Sequence, residues 1–161
     1  MSITTYQNRD PKLETKGKIV GFYEREFYCF SNFSSFQVKW KRKLWPTSEH
    51  AYQVSRFMGL KPKVVEQIFK ARSADAAYKI AQKYKGADFD DYRERDLKNM
   101  ESILRCKLKQ NPYAMRKLAQ TGKRYIVEDS PKDAFWGWGV NRQGRNELGK
   151  IWMKLRNEAV K

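Results

Sequence analysis

A chain of 161 residues with 40% hydrophobic and 14% aromatic content has the means to bury one core, which excludes disorder as its general state. Its 34 Lys and Arg against 18 Asp and Glu give a net charge of +16, which favours anionic partners and phosphate above all. Two cysteines, Cys29 and Cys106, and one histidine, His50, are too few for a disulfide framework or a His/Cys metal centre, so no metal and no cofactor is expected.

Residues 1–18 are polar and form a segment distinct from a single domain over 19–161. They lack the apolar stretch of a secretion signal, and no later run is long enough to span a bilayer, so a cytoplasmic protein with no membrane partner is expected. "KIVGFYEREFYCF" is rich in β-branched and aromatic residues and predicts one or two strands. "FQVKWKRKLW" alternates Phe36, Val38 and Trp40 with polar residues and predicts a hairpin or bent strand with Lys41, Arg42 and Lys43 at its tip.

From Thr47 the pattern turns helical: Thr47 can cap, Glu49 sits where the helix dipole favours an anion, and Gly59 can stop the helix. Pro62 opens a second helix, Ser73 caps a third that runs to Gly86, Asp90 starts a long one through Gln110, and Pro112 opens another that ends near Gly122. "RYIVE" predicts a strand, and the Gly-rich stretch after it an irregular loop. A last helix starts near Asn146 with Leu148, Ile151, Trp152 and Leu155 on one face. The class is mainly α, α+β.

In "WPTSEHAYQ", helical spacing aligns Glu49, Gln53 and Arg56, while His50 falls on the neighbouring apolar stripe with Val54 and Phe57. His50 therefore reads as a packed or capping residue, and Glu49 as the acid–base candidate or an ordinary first-turn acid. Ser31 and Asn32 in "SNFSSF" can bond a turn or a ligand edge. "DAFWGWG" offers either an aromatic wall for a flat ligand, with Asp133 as acceptor, or a core plug. "GVNRQGRNELGK" is a basic, Gly-rich loop leading into a helix N-terminus, similar to a phosphate cradle but matching neither the dinucleotide nor the Walker pattern.

Taken in order, "FSNFSSF", "WPTSEHAYQ", "RCKLKQN", "TGKRYIVEDSPKDAFWGWG" and "GRNELGKIWMKLR" resemble the YbiA-like family, also called NADAR, over nearly the whole chain. The resemblance implies a largely helical fold and N-glycosidase chemistry on ribose-linked substrates. These are phosphorylated riboflavin-pathway intermediates in some members and ADP-ribose on guanine in others. It points to Glu49, Lys107 and Asp133 as catalytic, and to Asn32, Phe33, Trp45, Gln53, Arg56, Trp136, Gly137 and Asn146 as ligand-binding, with Glu128 and Gly149 also on matching positions.

Two positions depart from the family: Arg56 stands where many members have Lys, and Tyr92 where they have Trp. The family mechanism is associated with a lysine that traps the opened ribose as a Schiff base. Arg56 cannot do this, being always protonated, whereas Lys107 can if desolvated. The expected substrate is an ADP-ribosylated guanine nucleotide or nucleic acid. A small riboflavin intermediate and a non-catalytic ADP-ribose or nucleic-acid binding module are the competing readings. Basic clusters at 39–43, 105–109, 116–124 and 142–156 would hold the polynucleotide.

Overall fold

A computed structural model describes residues 17–23, 25–86 and 92–159, so most of the polar segment over 1–18 and the helix start at Asp90 lie outside the described residues. The elements are β1 (Ile19–Phe22), β2 (Val38–Trp40), β3 (Lys43–Trp45), α1 (Ser48–Ser55), α2 (Pro62–Phe69), α3 (Ala74–Lys83), α4 (Tyr92–Gln110), α5 (Pro112–Gln120), β4 (Tyr125–Glu128) and α6 (Glu147–Ala159). The fold is thus mainly α with short strands, α+β as the sequence predicts. The chain forms two compact units, one made of residues up to Ser31 together with those from Tyr113 onward, the other of Asn32–Pro112.

In the 32–112 unit, β2 and β3 form the expected antiparallel hairpin, with Val38 opposite Trp45 and Trp40 opposite Lys43. Its two-residue tip, Lys41 and Arg42, has φ of 47° and 64°. Positive φ at both central positions gives the type I′ turn that matches strand twist. Neither residue is glycine, and each left-handed residue with a Cβ costs about 1–2 kcal/mol. The hairpin root is pinned to α4: the Gln110 amide accepts from Lys39 N at 2.7 Å and donates to Lys39 O at 2.8 Å, and Trp40 Nε1 donates to Ser102 Oγ at 3.0 Å.

Local signals set the helix starts. Thr47 and Ser73 adopt extended backbone and cap α1 and α3 through their hydroxyls, while Pro62 opens α2. The α1 helix ends at Ser55 rather than at Gly59. Arg56 N and Phe57 N bond back to Gln53 O and Val54 O, a three-residue reach that tightens the last turn, and Gly59 then reverses the chain at φ +77°. Trp40, Trp45, Val54, Phe57, Ile68, Met100, Ile103 and Leu104 fill this unit's core.

The other unit pairs β1 with β4 in parallel, Ile19 opposite Tyr125 through Phe22 opposite Glu128. Downstream of β1 the chain makes a 3-10 turn over Tyr28–Phe30 where a second strand was one of the expectations. Phe27 and Phe30 are both buried and stack at 5.8 Å, whereas a strand would send residues three apart to opposite faces. Phe30 packs on Trp152 at 4.9 Å and accepts a hydrogen bond at its carbonyl from Trp152 Nε1 at 3.0 Å. The α6 stripe of Leu148, Ile151, Trp152 and Leu155 is buried as its spacing predicts.

Gly149 lets α6 approach β4: a Cβ there would collide with the Ile126 carbonyl oxygen and with the Asn146 side chain. Alanine is the better helix former by about 1 kcal/mol, but overpacking against a backbone carbonyl costs about 1–3 kcal/mol or more. Gly149→Ala should therefore lower stability in urea unfolding; an unchanged or raised midpoint would contradict this packing.

Candidate active site

The site is read from α1, a helix whose eight residues are all buried although most are polar. Its start is locked by one residue pair. Thr47 Oγ1 accepts from His50 N at 3.2 Å and lies 2.8 Å from His50 Nδ1, while His50 Nε2 lies 3.1 Å from the Ala71 carbonyl. A carbonyl partner requires the proton on Nε2, which leaves Nδ1 to accept from the Thr47 hydroxyl. Burial lowers the imidazole pKa below its ordinary value, and the bond to Ala71 O only partly offsets this. Both ring nitrogens are committed to structure, so His50 caps and packs.

Glu49 is 5% exposed and Gln53, one turn on, is 2% exposed. Gln53 Nε2 donates to Glu49 Oε1 at 2.7 Å, which fixes the amide with Oε1 as the remaining acceptor. Asn32 is tied to the same turn, because its carbonyl accepts from Glu49 N at 3.1 Å. Its Nδ2 points to Met100 Sδ at 3.3 Å. Asn32 Oδ1 and Gln53 Oε1 are buried and meet no donor among the described residues. A buried amide oxygen without a donor is costly, and two of them on residues bonded to Glu49, one through its carboxylate and one through its backbone N–H, mark a place where a ligand's hydroxyl or N–H groups fit.

Lys107 is fully buried on α4, with Nζ donating to Ser34 Oγ at 2.9 Å and to Ser48 Oγ at 3.3 Å. Asp96 lies on the same buried stripe of α4 and accepts from the Tyr52 hydroxyl at 3.1 Å. Burial first, then the negative charge of Asp96 and more weakly of Glu49, push the Tyr52 phenol well above its usual range, against a smaller opposing effect of Arg56. Tyr52 is thus a fixed donor. Asp96, Ser34 and Ser48 were not among the sequence candidates. The signal for Asp96 was available: Asp96, Met100, Ile103 and Lys107 recur at helical spacing, placing two charges on an otherwise apolar stripe.

Asn32, Glu49 and Gln53 are thus bonded together at the start of α1 in the 32–112 unit, and Lys107 reaches the same helix at Ser48, the residue before Glu49. Arg56 is half-buried, with its charge in reach of Tyr52. Phe33 is 39% exposed, and Trp45 is a core residue whose indole donates to Trp40 O and packs on Phe69.

The remaining candidates belong to the other unit, and their contacts there build its loop. Asp133 Oδ1 accepts from Phe135 N at 2.9 Å and Trp136 N at 2.7 Å. Asn146 Oδ1 accepts from Glu128 N and its Nδ2 donates to Ile126 O, both at 2.9 Å. A Cβ on Gly137 would sit 2.7 Å from Glu128 O, so only glycine fits there. The amides of Asn146, Glu147 and Leu148 donate to the carbonyls of Gly137, Phe135 and Trp136. The α6 N-terminus that resembled a phosphate cradle is therefore filled by the aromatic loop itself. Trp136 stays half-buried and edge-on to Phe135.

Among the described residues, no group of three or more His, Cys, Asp or Glu is placed to hold a metal ion, and no helix is long and apolar enough to cross a membrane.

Six helices with a parallel and an antiparallel strand pair among the described residues define the class of protein as a mainly helical α+β fold. The chain belongs to the NADAR domain family, whose profile matches residues 21–159. It is similar to N-glycosidase YbiA of Shigella boydii, 32% identical over 142 residues, which span 87% of this chain and 88% of that protein. A riboflavin biosynthesis protein of Vibrio vulnificus is 34% identical over 80% of this chain, and the chloroplastic riboflavin biosynthesis protein PYRR of Zea mays 31% identical over 99% of it. The chain spans about a third of the length of these two, 34% and 28% respectively. The NMR structure of the Escherichia coli protein YbiA superposes with a TM-score of 0.80 at 28% identity, covering 99% of this chain and 94% of that one.

The His50 environment fixes a pH dependence. Because the folded pKa lies below 6.5, the unfolded chain takes up the His50 proton first as pH falls. The stability tied to this residue is complete above the unfolded value and is lost as pH drops through the folded one. Urea unfolding from about pH 7 to about pH 5 should fall more steeply in the wild type than in His50→Gln. Parallel curves would show that the imidazole does not titrate differently in the folded state.

Proposed function

We propose that this chain is an N-glycosidase that hydrolyses a ribose–base bond, removing ADP-ribose from modified guanine in nucleic acid. The observation that carries the glycosidase reading is the pair of donorless buried amide oxygens, Asn32 Oδ1 and Gln53 Oε1, on the two residues that bond the backbone and the carboxylate of the buried Glu49. Ribose presents neighbouring hydroxyl donors that such acceptors recognise. The relatives named N-glycosidase YbiA match this chain over most of their own length, which supports the reading. The +16 charge supports a polyanionic substrate.

Cleavage of the C1′–N bond sends its electron pair to the base and leaves positive charge on the sugar. Glu49 stabilises that cation electrostatically, and its carboxylate takes the proton of an attacking water. The departing base takes up one proton from solvent, which balances the one that Glu49 removes from the attacking water and later releases. Lys107 offers a covalent alternative: its neutral amine attacks C1′ as the base leaves, the ring C–O bond opens with O4′ taking a proton from Nζ, and water hydrolyses the resulting imine. Asp133, whose Oδ1 is taken by two loop amides, is assigned to positioning Trp136.

The second reading, a phosphorylated pyrimidine intermediate of riboflavin synthesis, draws on the two longer relatives named for that pathway. Incubation with ADP-ribosylated guanine in DNA and with the pyrimidine intermediate, following released sugar, separates them. Glu49→Gln should lower turnover by about 10²–10⁴-fold with the melting temperature retained. Activity within twofold of wild type would remove Glu49 from the chemistry.

Borohydride reduction during turnover tests the lysine. A trapped sugar adduct should map to Lys107 and vanish together with activity in Lys107→Arg. An active enzyme that yields no adduct would leave direct water attack assisted by Glu49, and an adduct on another lysine would displace Lys107.

A further inference from the structure

We propose that the tip of the β2–β3 hairpin is a phosphate-backbone contact that grips a nucleic-acid strand. Lys39, Lys41, Arg42 and Lys43 are all exposed, and none forms an ion pair with a described residue. On the helices Lys70 pairs with Glu66, Lys79 with Asp75 and Lys98 with Glu94, at 2.6–2.7 Å, while other exposed lysines such as Lys61, Lys83 and Lys109 stand singly among the described residues. What sets the hairpin apart is density, with four exposed cations between residues 39 and 43; Lys43 is also within electrostatic reach of Glu66, which leaves Lys41 and Arg42 at the turn as the charge that no described carboxylate offsets.

The turn itself argues for function. A type I′ turn with φ of 47° and 64° is ordinarily made by Asn-Gly, yet here it carries Lys41 and Arg42. Strained backbone persists where the surroundings over-determine it and clusters at functional positions. The surroundings do so here: the Gln110 amide clamps both backbone groups of Lys39, and the Trp40 and Trp45 indoles are bonded at the root. The Lys41 ammonium lies over the Trp40 ring at 4.6 Å, and that of Lys43 over Phe69 at 3.6 Å. These ring contacts restrain the cations without neutralising them. The one exposed apolar side chain here, Leu44 at 52%, stands on the strand opposite Lys39 rather than in the turn, and a single leucine among four cations is not an apolar face that inserts in lipid, so a phosphodiester strand fits better than a membrane.

This inference rests on the proposed nucleic-acid substrate, and its test separates the two. The double variant Lys41→Asn with Arg42→Gly installs the preferred I′ pair, so it should melt at the wild-type temperature or above. Its affinity for a fluorescein-labelled single-stranded oligonucleotide should fall, and the slope of log affinity against log salt should flatten by roughly two. If that variant melts lower, the charge-only pair Lys41→Gln and Arg42→Gln gives the same reading. Unchanged affinity and slope overturn the proposal, as does wild-type binding to phosphatidylserine vesicles as tight as to the oligonucleotide with the same loss in the variant. Turnover of free ADP-ribosylated guanosine is measured alongside. Hairpin-dependent binding without turnover leaves the contact standing and removes the glycosidase reading, while turnover with hairpin-independent binding does the reverse.

Discussion

A helix that is buried on every side must satisfy each of its polar groups from within the protein, since water cannot. The α1 segment "SEHAYQVS" meets this constraint with a polar sequence. Thr47 and His50 satisfy the cap, Ser48 receives the Lys107 ammonium, Glu49 takes the Gln53 amide, Tyr52 finds Asp96, and Ser55 donates to the Tyr52 carbonyl. The surrounding elements of the 32–112 unit are arranged to supply these partners. Among the described residues the amide oxygens of Asn32 and Gln53 meet no donor, which is why the candidate site falls there and not at the histidine.

The other unit solves a different problem. Its aromatic loop has no regular ladder, so its carbonyls are spent on the first amides of α6, and the side chains of Asp133 and Asn146 tie the remaining backbone. Gly137 and Gly149 are needed because backbone oxygens already occupy the positions a Cβ would take. Four residues on family-matching positions thus have a packing reason to be what they are. Trp136, set between them, is half-buried and edge-on to Phe135.

Much of this was legible in the sequence. Thr47, Ser73, Pro62 and Pro112 mark helix starts through local chemistry, and the i, i+4 spacing of Glu49 and Gln53 foretells their bond. What could not be read depends on long-range partners. The Lys107 ammonium meets Ser34 and Ser48 across 73 and 59 residues of chain, and nothing local distinguishes those serines from turn formers. The 3-10 turn at Tyr28–Phe30 replaces a strand because Phe27 and Phe30 share one aromatic cluster with Trp152, 122 residues beyond Phe30. That the N-terminus of α6 is filled could not be read for a similar reason, because the carbonyls that accept from its first amides come from a loop with no periodic pattern.

The parallel pairing of β1 with β4 carries a consequence for how the chain acquires its structure. Ile19 cannot meet Tyr125 until more than a hundred further residues exist, so this unit is closed only late in synthesis. The 32–112 unit is contiguous, and its hairpin, clamp and helices are all present as soon as Gln110 has emerged. On a ribosome, the segment bearing Glu49 and Lys107 can therefore fold while β1 still waits for its partner strand. The exposed backbone edge of β1 is the interval's main hazard for pairing with other chains.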